Sequence, residues 1–237
     1  MKAIVDMHTH TVASGHAYST LHENVQFAKK HGIKILGLSD HGPNMLGGPE
    51  LYYFNNLKVI PKEIEGIRIL KGMEANILDT EGHIDELDPR AWPGFDYLIA
   101  SLHTICIKPS TKEDNTKAIL SAMDNEKVKI IGHPDDGRYP LDYEPIVKKA
   151  KEKNILLEVN NSSLSPNTFR KGARENIKTY LELCKKYGVR VIMGTDSHVC
   201  YDIGVFKYAE EVIEEADFPK ELVINYWEDQ IKEFFGV

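Results

Sequence analysis

Residues 3–10 read AIVDMHTH. An apolar run broken only by Asp6 ends in two histidines, His8 and His10. The run is too short for a helix and long enough for a strand. Residues two apart on an extended chain face the same side. The two imidazoles are therefore expected to project together from the carboxyl end of a first strand, residues 3–7.

Six further runs have the same character. Residues 35–39, 68–73, 97–102, 129–132, 155–159 and 189–194 are short and apolar. Helix-like stretches lie between them, at 20–31, 112–125, 142–153, 174–187 and 204–215, with a last one at 228–235. Gly32 and Gly188 stand where C′ glycines belong. The crossover at 51–65 is interrupted by Pro61. Alternation of strand and helix predicts an α/β fold with a parallel sheet. Such folds carry their chemistry beyond the carboxyl ends of the strands, whether the sheet is closed or open.

Those ends hold an unusual set of residues. After the first strand come His8 and His10, and after the second comes His41, in LGLSDHG. The third ends in Glu74, the fourth in His103 and the fifth in His133. The sixth ends in Asn160 and Asn161, the seventh in Asp196 and His198. His16 lies in the first loop; only His22, His31 and His83 fall elsewhere. One histidine at a strand end is ordinarily a satisfied polar residue. Seven at one rim need partners, because each neutral ring must find both a donor and an acceptor. Divalent cations supply them.

His8, His10, His16, His41, His103, His133, His198, Glu74 and Asp196 are thus nine candidate ligands. That is too many for one ion and suits two, or three if the carboxylates bridge. Imidazole-rich ligation with two carboxylates and no thiolate fits zinc, manganese or iron better than magnesium or calcium.

Composition sets outer bounds. The chain has 237 residues, 42% hydrophobic and 27% charged, enough for one sizeable core. That length allows one large domain or two small ones. No run of eighteen or so apolar residues suggests a membrane span. The apolar opening is too short for a signal peptide. Cys106, Cys184 and Cys200 form no CxxC pair, so the cytoplasm is the expected compartment. The net charge of −7 disfavours long nucleic acid as a partner.

The ordered set D-x-HxH (6–10), SDHG (39–42), GxE (72–74), a strand-end histidine at 103, GHP (132–134) and TDSH (195–198) resembles the PHP (polymerase and histidinol phosphatase) family. HTVASGHAYSTL, SDHGPNM, GMEANI, LEVNNSS and GTDSH look like its YcdX-type stand-alone phosphatases. The resemblance runs from Asp6 to His198. It implies a single catalytic domain over 1–237, a distorted (β/α)7 barrel with a trinuclear metal centre at the C-terminal rim of the strands. On that reading His8, His10, Glu74 and Asp196 hold one metal. Glu74 bridges to a second, held by His103 and His133, while His16, His41 and His198 hold the third. Zinc is the first choice of metal.

The implied activity is hydrolysis of a small phosphorylated metabolite by a metal-bridging hydroxide, with no Ser or Cys nucleophile. Three divalent ions would bring −7 to −1 and concentrate positive charge at the rim. Glu74 and Asp196 would serve catalysis as ligands. Asp40 is a candidate for orienting a ligand or protonating the leaving group. Asp6 either orients a ligand ring or caps backbone. Arg170 is the preferred phosphate contact, with Arg138 and Lys171 as further candidates. The loop at 42–54 is either a lid carrying Tyr52 or Tyr53 or the start of the next helix.

Three rivals remain at this level. A phosphodiesterase or exonuclease on nucleotides would share the metals. An amidohydrolase also opens with HxH, but its two-metal members commonly use a modified lysine after the fourth strand, where this chain has His103. A non-catalytic metal-binding regulator would keep the ligands without turnover. A homo-oligomer is compatible with all of these.

Overall fold

Short apolar runs bounded by polar turns pair side by side, because only neighbouring strands satisfy their buried backbone groups. The computed structural model of the chain, which describes residues 1–85 and 94–237, contains one such sheet. Its barrel strands are β1 (Val5–Asp6), β2 (Ile35–Leu38), β4 (Ile67–Asn76), β5 (Tyr97–Ser101), β6 (Val128–Ile131), β7 (Leu156–Asn160) and β8 (Val191–Gly194). They lie in that order, each parallel to the next. The addition is β3 (Glu63–Ile64), antiparallel to β4. Ile64 pairs with Ile67 across Glu65 and Gly66, both at positive φ, as a two-residue hairpin turn of the primed type requires.

The curled sheet nearly closes. A parallel bridge joins Thr9 to Ser197, with the His10 amide donating to the Ser197 carbonyl at 2.9 Å. Lower in the seam, Asn225 stands in for strand pairing. Its Nδ2 donates to Val5 O at 3.1 Å and Met193 O at 2.8 Å, and its Oδ1 accepts from Met193 N at 2.7 Å.

Helices cover the outside, as the alternation predicts. They are α1 (Leu21–His31), the five-residue α2 (Leu51–Asn55), α3 (Lys112–Ala122), α4 (Tyr143–Lys153), α5 (Ala173–Tyr187) and α6 (Lys207–Glu215). Thr20 and Glu23 form a capping box at the start of α1, and Gly32 ends it at φ 77°. The crossover interrupted by Pro61 resolves into α2 followed by a short 3₁₀ turn. No helix among the described residues is long and apolar enough to cross a membrane.

Two apolar layers hold the barrel. Outward-facing strand residues such as Leu36, Met73, Leu98, Leu157 and Val191 pack against the helices. Inside, Val5, Met7, Ile35, Leu70, Tyr97, Ile130, Leu156 and Ile192 fill the lower half. A last helix, α7 (Glu228–Phe235), adds Ile231 and Phe235 to that inner cluster. Tyr97 crosses the interior to donate to Met7 O at 2.6 Å. It needs Gly37 and Gly72, where a Cβ would come within 2.2 Å of its hydroxyl oxygen and 2.5 Å of its ring respectively. The apolar floor leaves only the carboxyl rim for polar chemistry.

Candidate metal centre

β4 alternates its side chains, so Leu70, Gly72, Glu74 and Asn76 share the inward face. Glu74 is fully buried and central. Its Oε1 lies 3.3 Å from His8 Nε2, 3.2 Å from His103 Nε2 and 2.9 Å from His133 Nε2. Its Oε2 lies 3.6 Å from His10 Nε2 and 2.6 Å from His41 Nδ1. Asp196, after β8, approaches His10 Nε2 at 3.3 Å, His8 Nε2 at 3.6 Å and His198 Nδ1 at 3.6 Å through Oδ1. His16 completes the group, its Nε2 being 3.3 Å from His41 Nε2 and 3.1 Å from His198 Nε2. The structure thus brings all nine expected residues to one mouth, from positions 8 to 198.

Two of them sit on strained backbone. His133 has φ 27° and Asp196 φ 53°, conformations that non-glycine residues seldom adopt. Glu158 supports the first, its Oε2 accepting from the His133 amide at 2.7 Å.

A surrounding layer fixes the imidazole tautomers. His8 Nδ1 meets Glu158 Oε1 at 2.7 Å. An ionised carboxylate only accepts, so His8 Nδ1 carries the hydrogen and Nε2 is left with a lone pair. Ser14 Oγ donates to Asp40 Oδ1 at 2.7 Å, so it accepts from His10 Nδ1 at 3.1 Å. Asn76 spends its amide nitrogen on Asp85, so its Oδ1 accepts from His103 Nδ1 at 2.7 Å. His198 Nδ1 faces the Asp196 carbonyl at 2.9 Å. In all four rings Nε2 is thereby left to face inward as an acceptor, the arrangement that outer hydrogen bonds give to metal-binding histidines.

Inside, partners run out. His8 Nε2, His10 Nε2, His41 Nδ1, His133 Nδ1 and Glu74 Oε2 are buried without a hydrogen bond. The 2.6 Å approach of His41 to Glu74 is out of line for one, so the distance alone does not satisfy either atom. Native proteins seldom leave such groups unpaired. Three overlapping donor groups lie here: His8, His10 and Glu74; His10, His41 and His198; and His41, Glu74 and His103. Convergent lone pairs of this type suit divalent transition metals. His41 belongs to two groups, whereas the resemblance assigned it only beside His16 and His198.

Charge within the cluster is tightly coupled. Burial opposes ionisation of Glu74, yet positive charge on His103, His8 or His41, when any of these rings is protonated, holds its carboxyl well below the usual range. Asp196 behaves alike, through His8 and Arg170. Burial, with His41 and His198 beside it, pushes the His10 imidazole well below its ordinary value.

The remaining sequence candidates separate. Asp40 is buried and accepts from Thr11, Ser14 and Tyr53, whose hydroxyl lies 2.6 Å away. It touches His10 only through Ser14. Tyr53 is thereby tied to the wall, while Tyr52 stands exposed. Asp6 accepts from Thr195 and the Gly204 amide, the backbone-capping alternative, and burial raises its carboxyl to about 6. Arg170 reaches the mouth, with both terminal nitrogens 3.0 Å from Asp196 Oδ2 and further bonds to Asn160 and Ser163. Arg138 pairs with Asp136, Lys171 is exposed, and Asn161 caps α6 by accepting from Tyr208 N and Ala209 N. Glu158 escaped the sequence reading. Its signal was an acid in ILLEVN on the inward register of Leu156.

Comparison with known proteins bears on this geometry. The profile of the PHP domain matches residues 6–162, more than half of the chain. A probable phosphatase of Clostridium acetobutylicum is 48% identical over 234 residues, covering 99% of this chain and 95% of its own. Another, from Clostridium novyi, is 51% identical over 225 residues, with 95% and 91% covered. Among solved structures, a histidinol phosphate phosphatase from Lactococcus lactis, complexed with zinc, L-histidinol and phosphate, superposes with TM-score 0.61. It has 20% identity and covers 92% of this chain and 95% of its own, a likeness of fold alone. A probable 2-pyrone-4,6-dicarboxylic acid hydrolase from Acinetobacter baumannii gives 0.55 at 15% identity, with both chains fully covered, again a likeness of fold alone. With its relatives alike over nearly their whole length, and its ligand-rich mouth built within and beyond the matched segment, the chain belongs to the PHP domain family.

Proposed function

We propose that the chain is a metal-dependent phosphatase acting on a small phosphate monoester, with three divalent ions, zinc foremost, at the nine-residue mouth. The observation that carries this reading is the set of five imidazole nitrogens within 3.6 Å of the buried Glu74 carboxylate. Ions held there supply Lewis acidity, which polarises phosphoryl oxygens and favours ionisation of water near neutral pH. His8, His10, Glu74 and Asp196 are proposed for the first ion, Glu74, His103 and His133 for the second, and His16, His41 and His198 for the third.

The protein's own groups do the positioning. Glu158, Ser14 and Asn76 hold His8, His10 and His103 with Nε2 inward. Asp40 acts through Ser14, and its oxygens are taken up by four donors, which assigns it to orientation rather than to protonating the leaving group. Arg170 places a guanidinium beside Asp196, and its fork matches phosphate oxygens. Hydrolysis exchanges the phosphorus–oxygen bond of the ester for one to water, and the alcohol leaves with a proton. The barrel is proposed to act as one catalytic domain. Its cysteines are free thiols, which supports a cytoplasmic setting.

The test is metal analysis of native protein with a phosphate-release screen over phosphorylated metabolites, nucleotides, amides and lactones. Bound zinc, manganese or iron and release from monoesters are expected. Turnover of diesters, amides or lactones alone would overturn the reading, as would inactivity of the fully metal-loaded protein.

A further inference from the structure

The mouth is polar, but its surroundings are not. Tyr18, Leu46, Ile105 and Phe169 are large apolar side chains that stand exposed in the loops leaving the carboxyl ends of β1, β2, β5 and β7. Tyr18 is 79% exposed, Leu46 78%, Ile105 62% and Phe169 66%. A soluble protein carries single exposed apolar residues anywhere. The gathering of these four around one polar mouth is the informative feature.

These residues adjoin the candidate ligands. The Tyr18 amide donates to the His198 carbonyl at 2.8 Å. Ile105 follows His103 by two positions, within a turn closed by Cys106 N to His103 O at 2.9 Å. Leu46 lies in the loop where Gly47 presses against Gly15, beside His16; a Cβ on Gly15 would come within 2.2 Å of Gly47 O. Phe169 is joined most directly. The Arg170 guanidinium lies 5.5 Å from its ring centre and also 3.0 Å from Asp196. Arg138 stands 4.7 Å from the same ring. One arginine therefore spans from the proposed phosphoryl site to an exposed aromatic ring.

We infer that this crown, centred on Phe169, binds the organic portion of the substrate, and that this portion is apolar. The inference rests on the phosphatase reading of the mouth. A phosphoryl group seated beside Asp196 and Arg170 would direct its ester carbon outward, past Phe169, towards the loops that carry Tyr18, Leu46 and Ile105. An apolar body there removes exposed rings from water, whereas a sugar or polyol gains little from them. Two flanking guanidinium groups hold the Phe169 ring in place, so less of its freedom is lost on binding.

The experiment compares 3-phenylpropyl phosphate with propyl phosphate, two primary alkyl esters with closely similar leaving groups, on metal-loaded protein. The phenylpropyl ester is expected to have a kcat/KM at least about tenfold higher. Phe169→Ala should collapse that ratio towards one, and Phe169→Trp should retain it. The matching phosphonates, which are not hydrolysed, should show the same preference as competitive inhibitors. Equal kcat/KM for the two esters overturns this inference and leaves the phosphatase reading standing. Turnover of neither ester, with metals loaded, counts against the phosphatase reading itself. A ratio unchanged by Phe169→Ala, together with dissociation of an oligomer in sedimentation, also overturns it and assigns the crown to a second copy of the chain.

Discussion

His8 donates through Nδ1 to Glu158 Oε1 at 2.7 Å, and the other oxygen of that carboxylate accepts from the His133 amide at 2.7 Å. One buried acid thus fixes the tautomer of a ring from the first strand and the strained backbone after the fifth barrel strand. Neither effect requires Glu158 to touch a metal.

Removal of such an outer partner typically costs ten- to a hundredfold in metal affinity. We expect Glu158→Ala to lose metal to a competing chelator at about tenfold lower chelator concentration or less, with Glu158→Gln intermediate because its amide oxygen can still accept from His8. Metal content after graded chelator dialysis measures this. Retention equal to wild type in Glu158→Ala would show that His8 needs no orienting partner.

His103 offers a cleaner test of the mouth itself. Its side chain is 13% exposed at the rim, and its one hydrogen bond on the outer side is to Asn76. His103→Ala should therefore leave the circular dichroism spectrum unchanged while lowering phosphate release by about a hundredfold or more. Wild-type rates would remove His103 from the proposed second metal position.

The barrel and its rim were legible for a common reason. Each strand is a short, mainly apolar run, and the residues just beyond it carry the chemistry, so the break in hydropathy marks both. His41, His103, His133 and His198 all announce themselves this way. Glu158 does not, since it lies inside an apolar strand two positions before the break at Asn160, and only its inward register betrays it. The β3 hairpin is hidden differently: Glu65 adopts positive φ without the Asn or Asp that usually marks such a turn. Asn225 is harder still, because its partners Val5 and Met193 are far away in the chain, and nothing local shows that a seam needs closing.

Asn225 leads to a prediction about stability alone. Its side chain is fully buried and makes three hydrogen bonds to the backbones of β1 and β8. Asn225→Ala would leave the Met193 amide and two carbonyls without these partners in an apolar seam. Stranding buried groups costs about 1–3 kcal/mol each, partly recovered by relaxation. Urea unfolding should show a loss of about 2–4 kcal/mol, while kcat per folded, metal-loaded molecule changes little. A loss below about 0.5 kcal/mol would mean that water replaces the amide, the lower limit for a single net hydrogen bond.

Metal removal should be felt by the whole fold. The inward atoms of His8, His10, His41 and Glu74 are unpaired within the protein, so ions binding there stabilise only the folded state. Exhaustive chelation is expected to lower the melting temperature by several degrees, with recovery on adding zinc. An identical transition before and after chelation, with metal loss verified, would argue that the cluster is held by its own hydrogen bonds.

At the opposite end of the barrel, acid should weaken the attachment of the last helix. Glu228 at the start of α7 bonds Lys34 at 2.6 Å and pairs with Lys232 at 2.8 Å. Lys232 first and Lys34 next hold its carboxyl down to about 2, from an ordinary 4.5. A carboxyl depressed in the folded state stabilises it fully above the unfolded value, and that contribution is lost as pH falls from about 4.5 through about 2. The side chain is 38% exposed, so the effect is modest and sensitive to salt. Comparing Glu228→Gln with wild type, we expect a small deficit in melting temperature at pH 7 that narrows below about pH 4 and closes near pH 2. A deficit independent of pH over that range would assign the role of Glu228 to shape and hydrogen bonding instead of charge.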